Sequence, residues 1–215
     1  MACNASTDSC VELKTVIVGD SDVGKTSLCL RFCHGKVTPV NPTIGASFLQ
    51  KRVEMQEGCD DGPRTTTQVV LQLWDTAGQE RFRSMSPMYF RNAKAALIVF
   101  DASKEYSVQK LSRWRQDLLA YADQGVVIAL VGNKCDVRTD DGPSLAAAQE
   151  FAESVGAPFY ETSAYTGVGV EDAFMGVAEG ALRLHRTATA EQAAAAQAER
   201  LRLDAERAKR NASCC

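Results

Sequence analysis

Short apolar runs alternate along the chain with stretches in which apolar residues recur every three or four positions. The runs predict strands at 13–19, 47–55, 68–74, 95–100, 126–132 and 159–162. The periodic stretches predict one helix that begins at Lys25 and others at 107–122, 144–155 and 170–186. Such alternation is typical of a doubly wound α/β fold, so we expect a mostly parallel six-stranded sheet with helices on both faces. The second and third strands are too close for a helical crossover and should form an antiparallel pair.

The same pattern divides the chain into three parts. Residues 13–186 predict one α/β domain, residues 1–12 an N-terminal extension and residues 187–215 a tail. The tail has almost no large apolar residues and cannot build a core, although its Ala, Glu, Gln and Arg are strong helix formers; whether it is helical is left open. The polar, Gly/Pro-containing segment at about 56–66 predicts an enlarged hairpin loop, and a neutral insertion is the preferred interpretation.

A glycine-rich segment joins the first predicted strand to the first predicted helix. Residues 19–26 read Gly-Asp-Ser-Asp-Val-Gly-Lys-Thr and match the phosphate-loop pattern G-x-x-x-x-G-K-[ST]. In such a loop, backbone N–H groups and the helix dipole attract phosphate, the lysine reaches the β- and γ-phosphates, and the threonine can ligate Mg²⁺. The sequence therefore predicts a nucleoside triphosphate bound by Asp20, Ser21, Val23, Gly24, Lys25, Thr26 and Ser27.

A carboxylate follows the strand 68–74, at the strand end where open α/β sheets bind ligands. Asp75 can hold Mg²⁺ through water, and Gly78 lets the backbone approach the γ-phosphate because it has no Cβ. Gln79 is then placed to orient an attacking water. Lys25 and Gln79 are the candidate catalytic residues. The alternative interpretation is a strand followed by an ordinary turn.

Two later segments select the base. Asn133, Lys134 and Asp136 belong to an N-K-x-D sequence after the strand 126–132, where the aspartate can accept hydrogen bonds from the N1–H and 2-amino groups of guanine. Ser163 and Ala164 follow the last strand, and this turn can offer a backbone N–H to the guanine O6. The set predicts that the nucleotide is GTP or GDP.

In this order, the motifs resemble those of the small GTPases. Residues 74–82 are similar to the Rab branch, and residues 42–48 and 86–91 look most like its early-endosomal subgroup. The resemblance covers 13–186 and the last two residues. It implies a membrane-anchored GTP/GDP switch that hydrolyses GTP with Mg²⁺ and recruits effectors in vesicular, endosomal trafficking.

The resemblance also assigns roles to residues outside the phosphate loop. Thr43 matches the threonine that ligates Mg²⁺ and touches the γ-phosphate only in the triphosphate state. An aromatic triad would present that state to effectors, although core packing is an alternative for these side chains and both roles can hold together. The triad consists of Phe48, Trp74 and Tyr89.

The last two residues, Cys214 and Cys215, resemble the doubly geranylgeranylated end of Rab proteins, which makes 187–215 a hypervariable tail with a prenylation motif. Two lipid chains give stable anchoring where one gives marginal binding; the alternative is a pair of exposed thiols. The implied partners are effectors, an exchange factor, a GTPase-activating protein, a GDP-dissociation inhibitor and the prenylation machinery. The implied location of this monomer is the cytosol and the cytoplasmic face of the early endosome.

Three residues depart from the family pattern. Val37 stands where an aromatic side chain normally packs on guanine, and the chain from Lys25 to Thr43 is one residue shorter than usual. Tyr165 replaces the usual lysine after Ser-Ala. Asp22 brings a carboxylate into the phosphate loop, which is tolerable only if it points to solvent. These departures leave open a non-hydrolysing or weakly hydrolysing GTP-binding module as the alternative function.

Composition and net charge limit the partners and the cellular compartment that we expect for this protein. The 215 residues, 45% of them apolar, suffice for one core, and the net charge of −3 gives no reason to expect a nucleic-acid partner. Eight cysteines without an apolar leader predict a reducing, cytosolic compartment. Cys29 and Cys33 on the first helix are better interpreted as buried thiols than as zinc ligands, because a structural zinc site needs four ligands.

Overall fold

A computed structural model describes residues 10–57, 65–79, 86–104, 108–138 and 143–212. Most of the N-terminal extension, the tip of the hairpin loop at 58–64 and the terminal Cys214-Cys215 pair lie outside these residues. The predictions made for them therefore stay predictions.

The described elements follow the predicted order. The strands are β1 Val11–Val18, β2 Ala46–Glu57, β3 Thr65–Thr76, β4 Ala95–Asp101, β5 Val127–Asn133 and β6 Phe159–Thr162. The helices are α1 Lys25–His34, α2 Ser86–Phe90, α3 Val108–Tyr121, α4 Pro143–Ser154 and α5 Val170–Ala212. A 3₁₀ turn, Cys135–Val137, follows β5.

The six strands form one sheet in the order β2-β3-β1-β4-β5-β6. The β2–β3 pair is antiparallel, with Phe48 opposite Trp74, and every other pairing is parallel. Both predictions about the sheet are confirmed. The carboxyl ends of β1, β3, β4, β5 and β6 consequently meet at one edge, where the segments that follow them carry the predicted motifs.

The core occupies both faces of this sheet. All seven residues of β4 are buried, as expected for a central strand covered on both sides. On one face, apolar side chains of the strands pack against α2, α3 and α4; this cluster includes Val16, Val18, Ile98, Phe100, Phe90, Leu111, Leu118 and Leu145. On the other face, Phe32 of α1 stacks on Phe174 of α5, with ring centroids 4.3 Å apart.

Two elements differ from the prediction. Helix α2 lies in the segment 75–91, for which the sequence pattern predicts no element, because a helix of this length offers too few residues to show a period. Helix α5 ends at Ala212 instead of at residue 186. The apolar period stops near Leu182, which is the last buried residue among the α5 side chains described up to residue 203, while helix-forming residues continue beyond it.

The chain divides into two compact units, Met1–Ala181 and Leu182–Cys215. Residues 183–203 are all exposed, and the division into a domain at 13–186 and a tail at 187–215 stays a prediction. Among the described residues, no helix combines the length and the apolar character that crossing a membrane requires.

Candidate functional site

The loop between β1 and α1 has a backbone that depends on glycine at two positions. Gly19 (φ 141°) and Gly24 (φ 93°) adopt conformations that L side chains rarely take. A Cβ at Gly19 would also overlap the Val99 carbonyl, and one at Gly24 would overlap the Asn133 amide. Because Gly24 caps α1 without a side chain, the first-turn N–H groups of the helix are left for an anion.

Lys25 opens α1 and is buried beneath this loop. Its Nζ donates to the carbonyl oxygens of Gly19 at 2.9 Å and Asp20 at 2.8 Å. Burial lowers the pKa of Lys25 to about 8, against the opposing attraction of Asp75 and Asp20. The charged ammonium is therefore under-compensated in the protein alone, and phosphate oxygens would compensate it.

Three side-chain oxygens converge beside the loop. Thr26 Oγ1 donates to Asp75 Oδ2 at 2.6 Å, Thr43 Oγ1 donates to the same oxygen at 3.2 Å, and the two hydroxyls lie 3.0 Å apart. Asp75 is only 1% exposed, and its Oδ1 has no hydrogen-bond partner among the described residues. Burial raises the pKa of Asp75 although both threonines and Lys25 oppose the shift. Hard oxygen donors beside a buried carboxylate that has one unpartnered oxygen fit Mg²⁺.

Gly78 and Gln79 follow β3 and complete the phosphate side of the site. A Cβ on Gly78 would overlap both the Asp20 carbonyl and Lys25 Nζ, so only glycine fits this close to the loop. Gln79 lines a cleft of about 230 Å³ together with the phosphate loop and residues 40–43. The predicted hydrolytic residue and the predicted phosphate contacts thus share one space.

Asn133 is the buried centre of the base side. Its Nδ2 donates to the Val23 carbonyl at 2.8 Å, and its Oδ1 accepts from Thr162 Oγ1 at 3.2 Å and from the Ala164 N–H at 3.1 Å. This residue therefore joins the phosphate loop to the turn after β6. An O6 acceptor on guanine would share the Ala164 N–H with Asn133, which the sequence motif does not reveal.

Lys134 adopts the left-handed conformation (φ 68°) and lies over the phosphate loop. Its Nζ is 2.9 Å from Asp101 Oδ2 and donates to the Asp22 carbonyl. The Asp22 side chain is 84% exposed, and its carboxylate lies 3.8 Å from the Lys104 and Lys134 ammonium groups. Asp22 thus points to solvent, as its place in a phosphate-binding loop requires.

A second cleft, of about 420 Å³, lies where the base is expected. Asp136 and Val37 line it, and so does Tyr165, which is 78% exposed. Arg31 of α1 holds the wall of this cleft: its Nε donates to the Ala164 carbonyl at 2.7 Å, and its Nη2 donates to the Tyr165 carbonyl. No sequence signal marks this role, since an arginine on a helix is ordinarily solvated.

Ser21, Ser27 and Ser163 complete the predicted nucleotide set. Ser21 and Ser27 line the phosphate-side cleft, and Ser27 also reaches the base-side cleft. Ser163 is buried, and its Oγ accepts the Thr166 N–H at 3.0 Å, so its side chain shapes the turn after β6.

The three predicted effector aromatics lie side by side. The ring centroids of Phe48 and Trp74 are 5.3 Å apart, and those of Trp74 and Tyr89 are 6.1 Å apart. Phe48 is exposed, while Trp74 and Tyr89 are partly buried and pack against the core cluster. Core packing and surface presentation thus occur together in this triad.

The two cysteines of α1 are free thiols that are shielded from solvent to different degrees. Cys29 is buried, Cys33 is partly buried, and burial raises the pKa of both thiols. Within the described ranges, no group of three or more His, Cys, Asp or Glu side chains is arranged to hold a metal ion.

Comparison with known proteins adds an independent finding. Residues 14–183 match the sequence model of the Ras family. The chain is 40% identical over 167 residues to Ras-related protein Rab-31 of Rattus norvegicus, covering 77% of this chain and 81% of the relative. It is 39% identical to Ras-related protein Rab-22A of Mus musculus over 165 residues (76% and 80%), and 39% identical to GTP-binding protein ypt5 of Schizosaccharomyces pombe over 183 residues (83% of each).

The lowered pKa of Lys25 predicts proton uptake on nucleotide binding. At pH 8 about half of the Lys25 side chains are deprotonated in the ligand-free protein, and phosphate oxygens restore the charged form. Binding of Mg²⁺·GDP to nucleotide-free protein at pH 8 should take up about half a proton. Calorimetry in buffers of different ionisation enthalpy measures the uptake. It should fall towards zero at pH 6 and in Lys25→Arg, whose side chain stays charged.

The base-side cleft predicts how firmly GDP is retained. Val37→Phe should slow GDP release roughly two- to tenfold, because it adds an aromatic contact worth about 0.5–1.5 kcal/mol. Tyr165→Ala is the companion variant, since Tyr165 lines the same cleft. If Val37→Phe leaves release unchanged while Tyr165→Ala accelerates it, the tyrosine already covers the base and the predicted deficit at residue 37 is wrong.

Proposed function

This chain belongs to the Ras family of small GTPases and to its Rab branch, and we propose that its site works through the residues described above. As a Rab GTPase it binds GTP and GDP, hydrolyses GTP and acts as a switch in vesicle trafficking. The observation that carries the site proposal is the convergence of the Thr26, Thr43 and Asp75 oxygens next to the buried Lys25. Thr26, Thr43 and Asp75 would hold Mg²⁺, and the ion would supply positive charge that neutralises the β- and γ-phosphates.

The remaining catalytic work is positioning and electrostatics. Lys25 would exchange the carbonyls of Gly19 and Asp20 for phosphate oxygens, and its ammonium would stabilise negative charge on them. Gly78 would bring its N–H towards the γ-phosphate, and Gln79 would orient the attacking water. Without a partner that supplies an arginine, such sites turn over slowly, on the order of 10⁻⁴ per second. Arg81 lies outside the described residues and is assigned no part.

Base recognition is assigned to the second cleft. Asp136 is exposed at its edge, where its carboxylate is available to the N1–H and amino groups of guanine. Asn133, Ser163 and Ala164 keep the turn after β6 against the phosphate loop through the hydrogen bonds of Asn133. Adenine lacks both donors, so it would leave the acceptor unpaired.

The switch itself follows from the position of Thr43. This residue contacts Thr26 and Asp75, and the same segment is joined to the end of β3 by a hydrogen bond from the Ala77 N–H to the Gly45 carbonyl at 2.8 Å. Loss of the γ-phosphate would remove a ligand shared by Thr43 and Gly78 and free both segments. The neighbouring aromatic triad would then change its presentation to effectors.

The proposal also includes a lipid anchor, a membrane of residence and a set of regulators. Lipidation of Cys214 and Cys215 would anchor the protein to the cytoplasmic face of the early endosome, since two chains suffice for stable attachment. Exchange factor, GTPase-activating protein, GDP-dissociation inhibitor and prenylation machinery are the regulators expected for such a switch. The outward direction of Asp22 supports hydrolysis over the non-hydrolysing alternative, because that carboxylate does not face the phosphates.

The variant Gln79→Leu tests the hydrolytic assignment. Leucine fills a similar space but cannot orient water, so GTP binding should persist while single-turnover hydrolysis falls by tenfold or more, about 1.4 kcal/mol in activation free energy. Hydrolysis should be measured on purified protein with and without a GTPase-activating protein. A variant that hydrolyses GTP at the parental rate would remove Gln79 from the mechanism.

The variant Asp136→Asn tests base recognition. The amide presents one donor where the carboxylate presented an acceptor, so affinity should shift from guanine towards xanthine nucleotides. Competition between GDP and XDP for the purified protein measures the change. Unaltered preference for GDP would contradict the assignment of Asp136.

A further inference from the structure

Helix α3 holds a carboxylate of the phosphate loop. Asp20 Oδ2 accepts a hydrogen bond from Lys110 Nζ at 2.8 Å, and Asp20 Oδ1 accepts one from Trp114 Nε1 at 3.1 Å. The two donors lie one helical turn apart, on the same side of α3. We propose that Lys110 and Trp114 are positioning residues that neutralise and orient Asp20 and thereby set how long the nucleotide stays bound. The inference rests on the proposed nucleotide site.

The backbone of Asp20 explains why its side chain matters. Its carbonyl oxygen accepts from Lys25 Nζ at 2.8 Å, and the same carbonyl leaves no space for a Cβ on Gly78. A rotation of the Asp20 backbone would therefore displace two residues of the proposed site: Lys25, which faces the phosphates, and Gly78, which approaches them. The hydrogen bonds from α3 fix the side chain and oppose that rotation.

The charge of Asp20 gives the second reason. A carboxylate at the start of a phosphate loop repels the polyphosphate unless a cation compensates it. Asp20 is 32% exposed and Lys110 is 58% exposed, so solvent screens their attraction in part and the expected effect is modest. Lys110 thus compensates a charge that would otherwise favour nucleotide release.

The other acidic residue of the loop provides a contrast. Asp22 is far more exposed than Asp20, and its nearest ammonium groups are 3.8 Å away. Water therefore screens most of the charge of the Asp22 carboxylate. Asp20, in contrast, has two donors at hydrogen-bond distance, and it is also the residue whose backbone carbonyl accepts from Lys25.

The contact with α3 also shares a space with the hydrolytic residues. Asp20, Lys110 and Trp114 line a cleft of about 540 Å³ together with Gly78 and Gln79. A change at Lys110 consequently acts on the phosphate side of the nucleotide, and Lys110 does not line the base-side cleft.

The test compares release of a fluorescent GDP analogue from the full-length protein loaded with Mg²⁺. Lys110→Met should accelerate release about two- to fivefold, because it removes the ion pair that partly neutralises the Asp20 carboxylate. Adding Asp20→Asn to that variant should return the rate to that of Asp20→Asn alone. The excess rate of Lys110→Met should shrink when salt is raised from about 0.05 M to about 0.5 M, since screening weakens the repulsion. Trp114→Phe, which keeps a ring but loses the donor, should accelerate release less than Lys110→Met does.

The matched control is the ion pair of Lys94 with Asp123. Its N···O distance is 2.6 Å and its exposed fractions are 44% and 36%, close to those of the proposed pair, but it lies at the opposite edge of the sheet from the site. Lys94→Met should leave release unchanged while altering the melting temperature about as much as Lys110→Met does.

Two results would overturn the inference. The first is a Lys110→Met variant that releases the GDP analogue at the parental rate. The second is faster release in both Lys110→Met and Asp20→Asn, with additive effects when the two substitutions are combined, because additivity indicates a structural role only. Parental protein that fails to bind Mg²⁺·GDP would instead refute the proposed nucleotide site. Parental binding with an unresponsive Lys110→Met refutes this inference alone.

Discussion

The geometry of the site depends on two buried charged side chains that opposite charges in the protein do not fully compensate. Lys25 and Asp75 lie at the carboxyl edge of the sheet, where burial lowers the pKa of the lysine and raises that of the aspartate. Each shift disfavours the charged form, so both groups reduce the stability of the ligand-free protein near neutral pH. In the proposed site, a metal ion and a polyphosphate would supply the missing opposite charges. Ligand binding and folding would then be coupled, and nucleotide should stabilise the whole domain.

The glycines and hydrogen bonds around Lys25 and Asp75 keep a space open beside these two charges and fix its walls. Gly19, Gly24 and Gly78 bring backbone close to a small volume that side chains would fill. Asn133 and Arg31 then fasten the turn after β6 to the phosphate loop and to α1. In the proposed mechanism, the contacts of Thr43 and Gly78 within this frame would depend on the third phosphate.

The parts of the site that are continuous in sequence could be predicted from it. The strand, the loop and Lys25 follow one another along the chain, so local pattern sufficed to place them. Contacts between distant residues could not be predicted: Arg31 bonds to Ala164 and Asp20 bonds to α3, and each pairing is set by packing of helices on the sheet. The end of α5 was misplaced because apolar periodicity reports burial, and residues 183–203 of this helix are exposed.

The chain has two tryptophans, and each lies beside a part of the proposed nucleotide switch. Trp74 lies between the other two aromatics of the triad, with its Nε1 buried and unpaired among the described residues, while Trp114 donates to the first acidic residue of the phosphate loop. Indole emission responds to hydrogen bonding and to neighbouring charge. Unlabelled protein therefore contains two optical reporters, one on the effector side and one on the phosphate side, which single-tryptophan variants would separate.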